Sequence, residues 1–323
     1  MSISVLGCGA WGTALASMLA DQHEGVLLWG RNAKAITEIN EHNKNSSYLY
    51  DVQLSAKLIA SDNLAHACQA DTLLCVTPAQ SFSELTQNIA PLISDATQLV
   101  LCAKGIDQKT GQLLHEIADH QFGKERVAAL SGPSFASDVA KGLPTAVSLA
   151  AHNLKTAQAL ASKLSSPRFR IYASDDLIGV EAGGALKNVL AIAVGVARGL
   201  QLGASAEAAL IARGFAELNR ITIALGARRE TMAGLSGLGD LVLTCSSTQS
   251  RNFSYGIALA KQEDLSNRPL AEGVHSAKMA LQLAQKYGVD TPIIEMVTAL
   301  LEHKITPSET VALLLSRPLK DET

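Results

Sequence analysis

The feature that most constrains this chain is a glycine pattern directly behind its first apolar run. Residues 3–6 read as a short β-strand, and Gly7, Gly9 and Gly12 follow with the spacing G-x-G-x-x-G, where helical spacing begins. In such a strand–turn–helix, the first glycine permits a tight turn, the second lets the backbone approach a pyrophosphate, and the third allows close helix–strand packing. The pattern predicts a dinucleotide-binding domain of the Rossmann type. The alternative is a glycine-rich turn that serves geometry alone.

The end of the second predicted strand bears on which dinucleotide would bind. An acidic residue commonly stands there and holds the ribose 2′-hydroxyl of NAD, but here Val26–Trp29 is followed by Gly30 and Arg31. A guanidinium in that place can pair with a 2′-phosphate instead. The sequence therefore favours NADPH as the coenzyme, with NADH still allowed. The alternative is that Arg31 is a solvated surface residue.

Strand-like runs alternate with helical segments up to about residue 172. The candidate strands are Ile3–Leu6, Val26–Trp29, Thr72–Val76, Gln98–Ala103, Val127–Leu130, Thr145–Ala150 and Arg168–Tyr172. They are apolar without alternation, which predicts a parallel sheet covered by helices on both faces. Helical spacing then dominates, and Asp175 and Asp176 are candidate caps of a long helix that reaches about Gly199. We predict an α/β doubly wound domain over residues 1–173 and an all-α domain over 174–323.

Composition excludes several classes of protein. The formal net charge is -3, aromatic residues make up 4% of the chain, and no run of lysine and arginine stands out, so nucleic acid is not an expected partner. Five cysteines without a CxxC pair predict neither a disulfide framework nor a zinc site. The longest apolar stretch, Val189–Ala197, is about half of a membrane span, and no signal peptide is indicated. We therefore expect a cytoplasmic protein without membrane insertion, and a homodimer is compatible with the sequence.

Polar residues follow two of the predicted strands at their carboxyl ends. Lys104 follows Gln98–Ala103, and Gly132 and Ser134 follow Val127–Leu130. Ligands of an open α/β sheet gather at that edge, where an ammonium, a hydroxyl and free backbone amides suit an anion. The alternatives are a solvated lysine and an ordinary helix cap.

Three segments of the helical half also carry candidate ligands. Gly183 and Gly184 share a helix face with Lys187, which indicates either a close-approaching ligand or tight packing with the lysine turned to water. Asp240 ends a glycine-rich loop, where it can orient Lys187 or cap a helix. The residues 250–252 bring together a hydroxyl, a guanidinium and an amide, a set that suits a phosphate unless the segment is a solvated loop.

Taken together, these motifs resemble the bacterial form of the NAD(P)-dependent glycerol-3-phosphate dehydrogenases over essentially the whole chain. The resemblance is carried by GCGAWGTALA at 7–16, Lys104-Gly105, SGPSFA at 131–136, EAGGALKNVLAIAVG at 181–195, GLSGLGDLVLTC at 234–245, Ser250-Arg251-Asn252 and Glu272-Gly273. It implies reversible reduction of dihydroxyacetone phosphate to sn-glycerol 3-phosphate, for phospholipid synthesis, with no metal. Lys187 is implied as the general acid and base of this reaction.

The resemblance also implies two sets of binding residues. Those implied for the substrate are Lys104, Gly132, Ser134, Lys187, Asp240, Ser250, Arg251 and Asn252. Those implied for the dinucleotide are Gly7, Gly9, Ala10, Trp11, Gly12, Arg31, Lys104, Ala136, Arg251, Leu270 and Glu272. Ala10 departs from the family, whose members often have serine at that position.

Two other functions remain open on the residues alone. A related two-domain hydroxy-acid dehydrogenase could bind its carboxylate with Arg251, whereas an acyl-CoA enzyme would need a histidine base, and the sequence has none between His152 and His275. A dinucleotide-sensing protein without turnover would keep the glycine pattern but need neither Lys187 nor the residues 250–252. A DNA-binding element, which such a regulator usually carries, is not found.

Overall fold

The computed structural model describes residues 2–315, and its first half is built on one eight-stranded sheet. The strands are β1 (Ile3–Leu6), β2 (Leu27–Trp29), β3 (Ile59–Ser61), β4 (Thr72–Cys75), β5 (Gln98–Leu101), β6 (Val127–Ser131), β7 (Thr145–Ala151) and β8 (Phe169–Ser174). Their order in the sheet is β3-β2-β1-β4-β5-β6-β7-β8. Every strand in the sequence prediction is present within two residues at each end, while β3 was missed.

The predicted parallel pairing is present in most of the sheet but is wrong between β6 and β7. Strands β1–β6 pair in parallel, but β7 pairs antiparallel with β6, and β8 then pairs in parallel with β7. Between β6 and β7, the only helix is Ala136–Ala140. Five helical residues rise about 7.5 Å, too little to carry the chain back along a strand for a parallel crossover.

Seven helices accompany the sheet in the described residues, and eight follow it. The first group is α1 (Ala10–Ala20), α2 (Ala33–His42), α3 (Leu64–Ala67), α4 (Phe82–Ile89), α5 (Leu114–Phe122), α6 (Ala136–Ala140) and α7 (Leu154–Leu164). The second group is α8 (Leu177–Gly199), α9 (Ala204–Ala224), α10 (Arg229–Met232), α11 (Asp240–Ser246), α12 (Arg251–Ala260), α13 (Glu272–Lys286), α14 (Pro292–Leu301) and α15 (Pro307–Leu315). The predicted fold class, a doubly wound α/β unit followed by helices, is confirmed.

Apolar cores lie on both faces of the sheet because neighbouring strand residues point in opposite directions. Leu74 and Val100 belong to one core cluster, whereas the adjacent Leu73 and Leu99 belong to the other. A third cluster is centred on α8. Covering of both faces explains why the strands lack polar alternation.

The helix α8 forms the centre of the helical half. It begins at the predicted cap, since the side chain of Asp176 accepts a hydrogen bond from the backbone N–H of Gly179 (2.9 Å). By length and composition, α8 is apolar enough to cross a membrane, with a mean hydropathy of 1.6. The sequence prediction considered only Val189–Ala197 and so underestimated the length of this apolar segment. However, 89% of its most apolar stretch is buried within the fold, as in the core helix of a soluble protein.

Two glycines let α12 approach α8 closely. A Cβ on Gly195 would lie 2.2 Å from the carbonyl oxygen of Phe253, and a Cβ on Gly256 would lie 2.2 Å from that of Ile192. The backbones therefore touch where side chains would keep them apart. This contact brings the start of α12, with Arg251, beside the helix that carries Lys187.

Candidate active site

The glycine-rich turn between β1 and α1 uses each of its glycines for a different geometric reason. Gly7 has a φ of +126°, which residues with a side chain rarely adopt. A Cβ on Gly12 would lie 1.8 Å from the carbonyl oxygen of Gly7, whereas a Cβ on Gly9 would have no atom within 4 Å. Gly9 is also the N-cap of α1. The turn therefore fits a pyrophosphate, which needs open space beside the backbone at a helix N-terminus.

Several other residues predicted to bind a dinucleotide have defined places in the structure. The backbone N–H of Gly7 donates to the carbonyl oxygen of Trp29 (2.9 Å), and the exposed Arg31 stands two residues beyond that partner. The ring of Trp11 lies 6.3 Å from that of Phe169. The others are Ala10 and Ala136, which begin α1 and α6, and Leu270, which is 43% exposed before α13.

Lys187, Asp240 and Lys104 meet where α8 passes the carboxyl edge of the sheet. Nζ of Lys187 lies 2.6 Å from Oδ1 of Asp240, and Nζ of Lys104 lies 2.6 Å from Oδ2 of the same carboxylate. Lys187 is 5% exposed and Asp240 is 1% exposed. Lys104 also donates to the carbonyl oxygen of Gly132 (3.1 Å). One buried carboxylate thus holds an ammonium from each half of the chain.

The surroundings of Lys187 change its protonation. Burial lowers the pKa of Lys187 from 10.5 to about 8, and the charge of Lys104 acts in the same direction, while Asp240 opposes the shift. Desolvation disfavours the charged form of an amine, so it outweighs the carboxylate here. A pKa near 8 suits a group that gives and takes a proton close to neutral pH.

Thr244 belongs to this cluster, although it is not among the residues predicted from the sequence. Its Oγ1 accepts a hydrogen bond from Nζ of Lys187, and the same hydroxyl lies 3.4 Å from Oδ1 of Asp240. Thr244 is one turn after Asp240 on α11. The spacing i, i+4 behind a candidate carboxylate was the signal that could have identified it.

The paired glycines of α8 serve packing by other parts of the protein. A Cβ on Gly184 would lie 2.4 Å from Oγ of Ser131 at the end of β6. A Cβ on Gly183 would lie 2.9 Å from the carbonyl oxygen of Ser236, in the π-helical turn Leu235–Gly239. Close packing is therefore the interpretation the structure supports for these glycines, but Lys187 points inward to Asp240 and not to water.

The residues 250–252 form the start of a helix and not a solvated loop. Ser250 is the N-cap of α12, and its Oγ accepts from the backbone N–H of Phe253 (3.2 Å). Oδ1 of Asn252 accepts from the backbone N–H of Gly273 (2.8 Å), which ties α12 to α13. Arg251 is exposed. Since those two oxygens have partners, Asn252 would offer Nδ2 to a ligand, and Ser250 would donate its hydroxyl proton.

Glu272 brings a carboxylate from the helical half to the same edge. It begins α13, and its Oε2 lies 3.6 Å from where a Cβ on Gly105 would be. Burial raises the pKa of Glu272, while the charges of Arg251, Lys104 and Lys187 oppose that rise. On the sheet side, Oγ of Ser134 donates to the carbonyl oxygen of Gly132 (3.0 Å). Within residues 2–315, no cluster of three or more His, Cys, Asp or Glu side chains could hold a metal ion.

A Rossmann-type sheet and a helical half that meet at a buried lysine define a class, the two-part nicotinamide-dependent dehydrogenases. Residues 2–157 match the family model for the N-terminus of NAD-dependent glycerol-3-phosphate dehydrogenase, and residues 176–312 match the model for its C-terminus. The chain therefore belongs to the NAD-dependent glycerol-3-phosphate dehydrogenase family, a family of oxidoreductases.

Individual relatives agree with this family over nearly the full length. A protein of Brucella ovis named glycerol-3-phosphate dehydrogenase (NAD(P)+) is 54% identical, covering 99% of this chain and 98% of its own. One of the same name from Chelativorans is 51% identical, with the same coverage. The crystal structure of a glycerol-3-phosphate dehydrogenase from Coxiella burnetii has a TM-score of 0.91 at 39% identity, over 98% of this chain and 99% of its own.

Proposed function

We propose that this protein reduces dihydroxyacetone phosphate reversibly to sn-glycerol 3-phosphate with a nicotinamide dinucleotide. The observation that carries the proposal is the buried Lys187, held by Asp240 beside Lys104 at the sheet edge that the glycine turn shares. The activity named for relatives 54% and 51% identical over nearly the whole chain supports the same reaction.

Lys187 acts as the general acid and base. When bound, the nicotinamide supplies or takes up the hydride. Negative charge grows on the C2 oxygen of the ketone during reduction, and the ammonium of Lys187 stabilises that charge and donates the proton. In the oxidation direction, neutral Lys187 takes the proton of the C2 hydroxyl, which its pKa of about 8 makes available near neutral pH.

Asp240 and Thr244 orient the amine of Lys187. Its three N–H bonds can be shared between the carboxylate, the hydroxyl and the substrate oxygen, so two fixed acceptors aim the third N–H at the ligand. Lys104 accompanies Asp240 from the sheet side and contributes positive charge where the oxygen becomes anionic.

The phosphate of the substrate binds at the start of α12. Arg251 can grip two phosphate oxygens, while Nδ2 of Asn252 and the hydroxyls of Ser250 and Ser134 donate further hydrogen bonds. Gly132 positions Lys104 through its carbonyl oxygen. Holding the phosphate end fixes C2 against Lys187, and such positioning lowers the barrier of the reaction.

The glycine turn, Gly7 to Gly12, holds the pyrophosphate of the dinucleotide, and Arg31 selects NADPH over NADH by pairing with the 2′-phosphate. Trp11, Ala136, Arg251, Leu270 and Glu272 complete the dinucleotide site in this proposal. Residues 1–173 then form the dinucleotide domain and residues 174–323 the substrate domain. We place the enzyme in the cytoplasm, where its product feeds phospholipid synthesis.

Oxidation of NADPH, followed by its absorbance, tests the proposal with dihydroxyacetone phosphate, pyruvate and acetoacetyl-CoA as parallel substrates. We expect turnover with dihydroxyacetone phosphate alone, and a lower kcat/KM when NADH replaces NADPH. Turnover of the keto acid, or of no substrate at all, would contradict the proposed reaction and favour the hydroxy-acid dehydrogenase or the non-catalytic dinucleotide sensor.

A further inference from the structure

Glu181 of α8 contacts α5, so its side chain links the helical half (α8–α15) to the sheet half (β1–β8 with α1–α7). Glu181 is 3% exposed, and its Oε1 accepts from the backbone N–H of Leu114 (2.6 Å) at the first turn of α5. The backbone N–H of His115 lies 3.3 Å from both carboxylate oxygens. The first N–H groups of a helix have no partner within it, so Glu181 caps α5 from another part of the chain.

The side chain of His115 makes a second link to the same carboxylate. Its Nδ1 lies 2.5 Å from Oε2 of Glu181, and His115 is 6% exposed. Burial lowers the pKa of His115, but the hydrogen bond and charge of Glu181 outweigh it, so the net shift is upward. The charges of Glu116 and Asp119 on α5 act in the same direction, and the ring of His152 after β7 lies 6.1 Å away between centroids.

We propose that Glu181 and His115 are positioning residues, which hold α8, the helix that carries Lys187, at a fixed place against the sheet half. The inference rests on the proposed function, since it concerns the position of Lys187, the general acid of that reaction. Glu181 precedes Lys187 by six residues, about 9 Å along the helix axis. Lys104, which shares Asp240 with Lys187, comes from the sheet half, so the cluster assembles only if α8 and the sheet keep their relative place.

A buried ion pair is weak support for stability, because desolvation offsets its attraction. Its directional hydrogen bonds do fix geometry, and a displacement of about 1 Å in an active site can cost about a hundredfold in rate. Loss of the pair is therefore expected to change kcat and the pH midpoint of Lys187 more than the affinity for dihydroxyacetone phosphate or NADPH.

The chain offers a matched control in Glu217 of α9. Its carboxylate is 2% exposed and accepts from the backbone N–H groups of Ile293 (2.9 Å) and Ile294 (3.2 Å) at the first turn of α14. Both helices belong to the helical half, so this cap does not join the two halves. Replacement of Glu217 removes a buried helix cap without touching the contact between α8 and α5.

The test compares Glu181→Ala, Glu181→Gln and His115→Ala with Glu217→Ala. For each variant, kcat and KM for dihydroxyacetone phosphate are measured, and NADPH affinity is followed by the fluorescence of Trp11 and Trp29. The pH midpoint of Lys187 acetylation by acetic anhydride, read by mass spectrometry, reports its environment without any turnover. Burial is the largest influence on this midpoint, and Asp240, Lys104 and the thiol of Cys245 are the titratable groups that face Lys187.

For Glu181→Ala we expect kcat to fall about tenfold or more, with KM and NADPH affinity within about twofold. The acetylation midpoint should rise toward that of an ordinary lysine as α8 loosens and water enters. In Glu181→Gln the amide oxygen still accepts from the backbone N–H of Leu114. This variant should therefore have a kcat within about threefold of the wild type and the wild-type acetylation midpoint. Glu217→Ala should lower the Tm while leaving both readouts unchanged.

The proposal is overturned if Glu181→Ala lowers only the Tm, with kcat and the midpoint of Lys187 matching those of Glu217→Ala. If Glu181→Ala is not recovered folded, His115→Ala carries the same test, and an unchanged kcat and midpoint there also overturn it. If the wild-type protein does not reduce dihydroxyacetone phosphate, the proposed function fails, but the acetylation midpoint still decides whether Glu181 positions Lys187.

Discussion

Lys187 and Asp240 form a buried pair whose Nζ and Oδ1 atoms lie 2.6 Å apart. The second oxygen of Asp240 is held by Lys104, so this carboxylate neutralises only part of the positive charge around it. Burial, together with that imbalance, keeps the pKa of Lys187 at about 8 despite its anionic partner. An amine of this kind can switch between acid and base, whereas a solvated lysine stays protonated.

Replacement of Lys187 by methionine should remove the proton donor while keeping most of the side-chain volume. We expect kcat to fall by several orders of magnitude, with NADPH affinity within about threefold, because general acid catalysis and charge stabilisation contribute at least about 10⁴ together. Steady-state kinetics and fluorescence titration measure the two effects. Lys163→Met is the control, since that lysine is half-buried away from the site, where its ammonium donates to Thr72. Retention of most activity in Lys187→Met would contradict the assigned role.

The two directions of the reaction should respond oppositely to pH. Reduction needs the ammonium of Lys187, so kcat/KM should be constant at low pH and fall as pH rises through about 8. Oxidation of glycerol 3-phosphate needs the neutral amine, so its kcat/KM should rise over the same interval. The rates are measured over roughly two pH units on either side of pH 8, by pre-steady-state kinetics or with deuterated coenzyme, so that the chemical step is separated from product release. Parallel profiles in both directions would exclude Lys187 as the titrating group.

Replacement of Asp240 by asparagine tests the electrostatic part of this site. Asp240 raises the pKa of Lys187, and its loss leaves Lys104 as an unopposed neighbouring cation, so that pKa should fall below 8. At neutral pH the reduction rate should drop about ten- to a hundredfold, and its pH midpoint should move to lower pH. The pH profile of Asp240→Asn provides the measurement. A midpoint that moves upward would show that Asp240 acts on some group other than Lys187.

The parts of the fold that follow from local spacing could be predicted from the sequence. The glycine turn, the strands buried on both faces and the Asp176 cap each depend on residues within a few positions of one another. The strand β3 was missed because it has three residues, of which Ile59 is 53% exposed, so it carries little apolar pattern. The antiparallel pairing of β7 was missed because strand direction depends on how the connection crosses the sheet.

The site was predictable in its residue types more than in its contacts. The residues Lys187, Asp240 and Lys104 were expected near one another. The sequence did not show that one oxygen each of Ser250 and Asn252 accepts a hydrogen bond from a backbone N–H at a helix start. The contact between Glu181 and His115 joins residues 66 positions apart, which no periodic pattern reports. The one local sign was a carboxylate in the first ten residues of α8, which are otherwise apolar, since such a group needs partners when buried.

Replacement of Arg31 by alanine tests the proposed preference for NADPH. Arg31 is exposed beyond β2, so its loss should not affect folding, and we expect an unchanged Tm. The KM for NADPH should rise about tenfold or more, since charge-assisted hydrogen bonds to a phosphate are lost, while the KM for NADH should change little. Lys34→Ala, on an exposed residue of α2 three positions later, is the control. Equal losses with both coenzymes would leave Arg31 without a role in selection.

Two alanine replacements in the glycine turn should separate cofactor binding from folding. A Cβ on Gly9 meets nothing within 4 Å, so Gly9→Ala should fold with a nearly normal Tm but lose dinucleotide affinity about tenfold or more, because the methyl group occupies space that the pyrophosphate needs. A Cβ on Gly12 would lie 1.8 Å from the carbonyl oxygen of Gly7, so Gly12→Ala must displace α1 from β1.

We expect Gly12→Ala to reduce the free energy of unfolding by about 1–3 kcal/mol or more, as overpacked cores do. Thermal unfolding without ligand and fluorescence titration with NADPH measure the two effects on the same samples. A Gly9→Ala protein that binds NADPH as tightly as the wild type would place the pyrophosphate elsewhere. Gly12→Ala with an unchanged Tm would mean that α1 can shift without cost, which its burial against the sheet argues against.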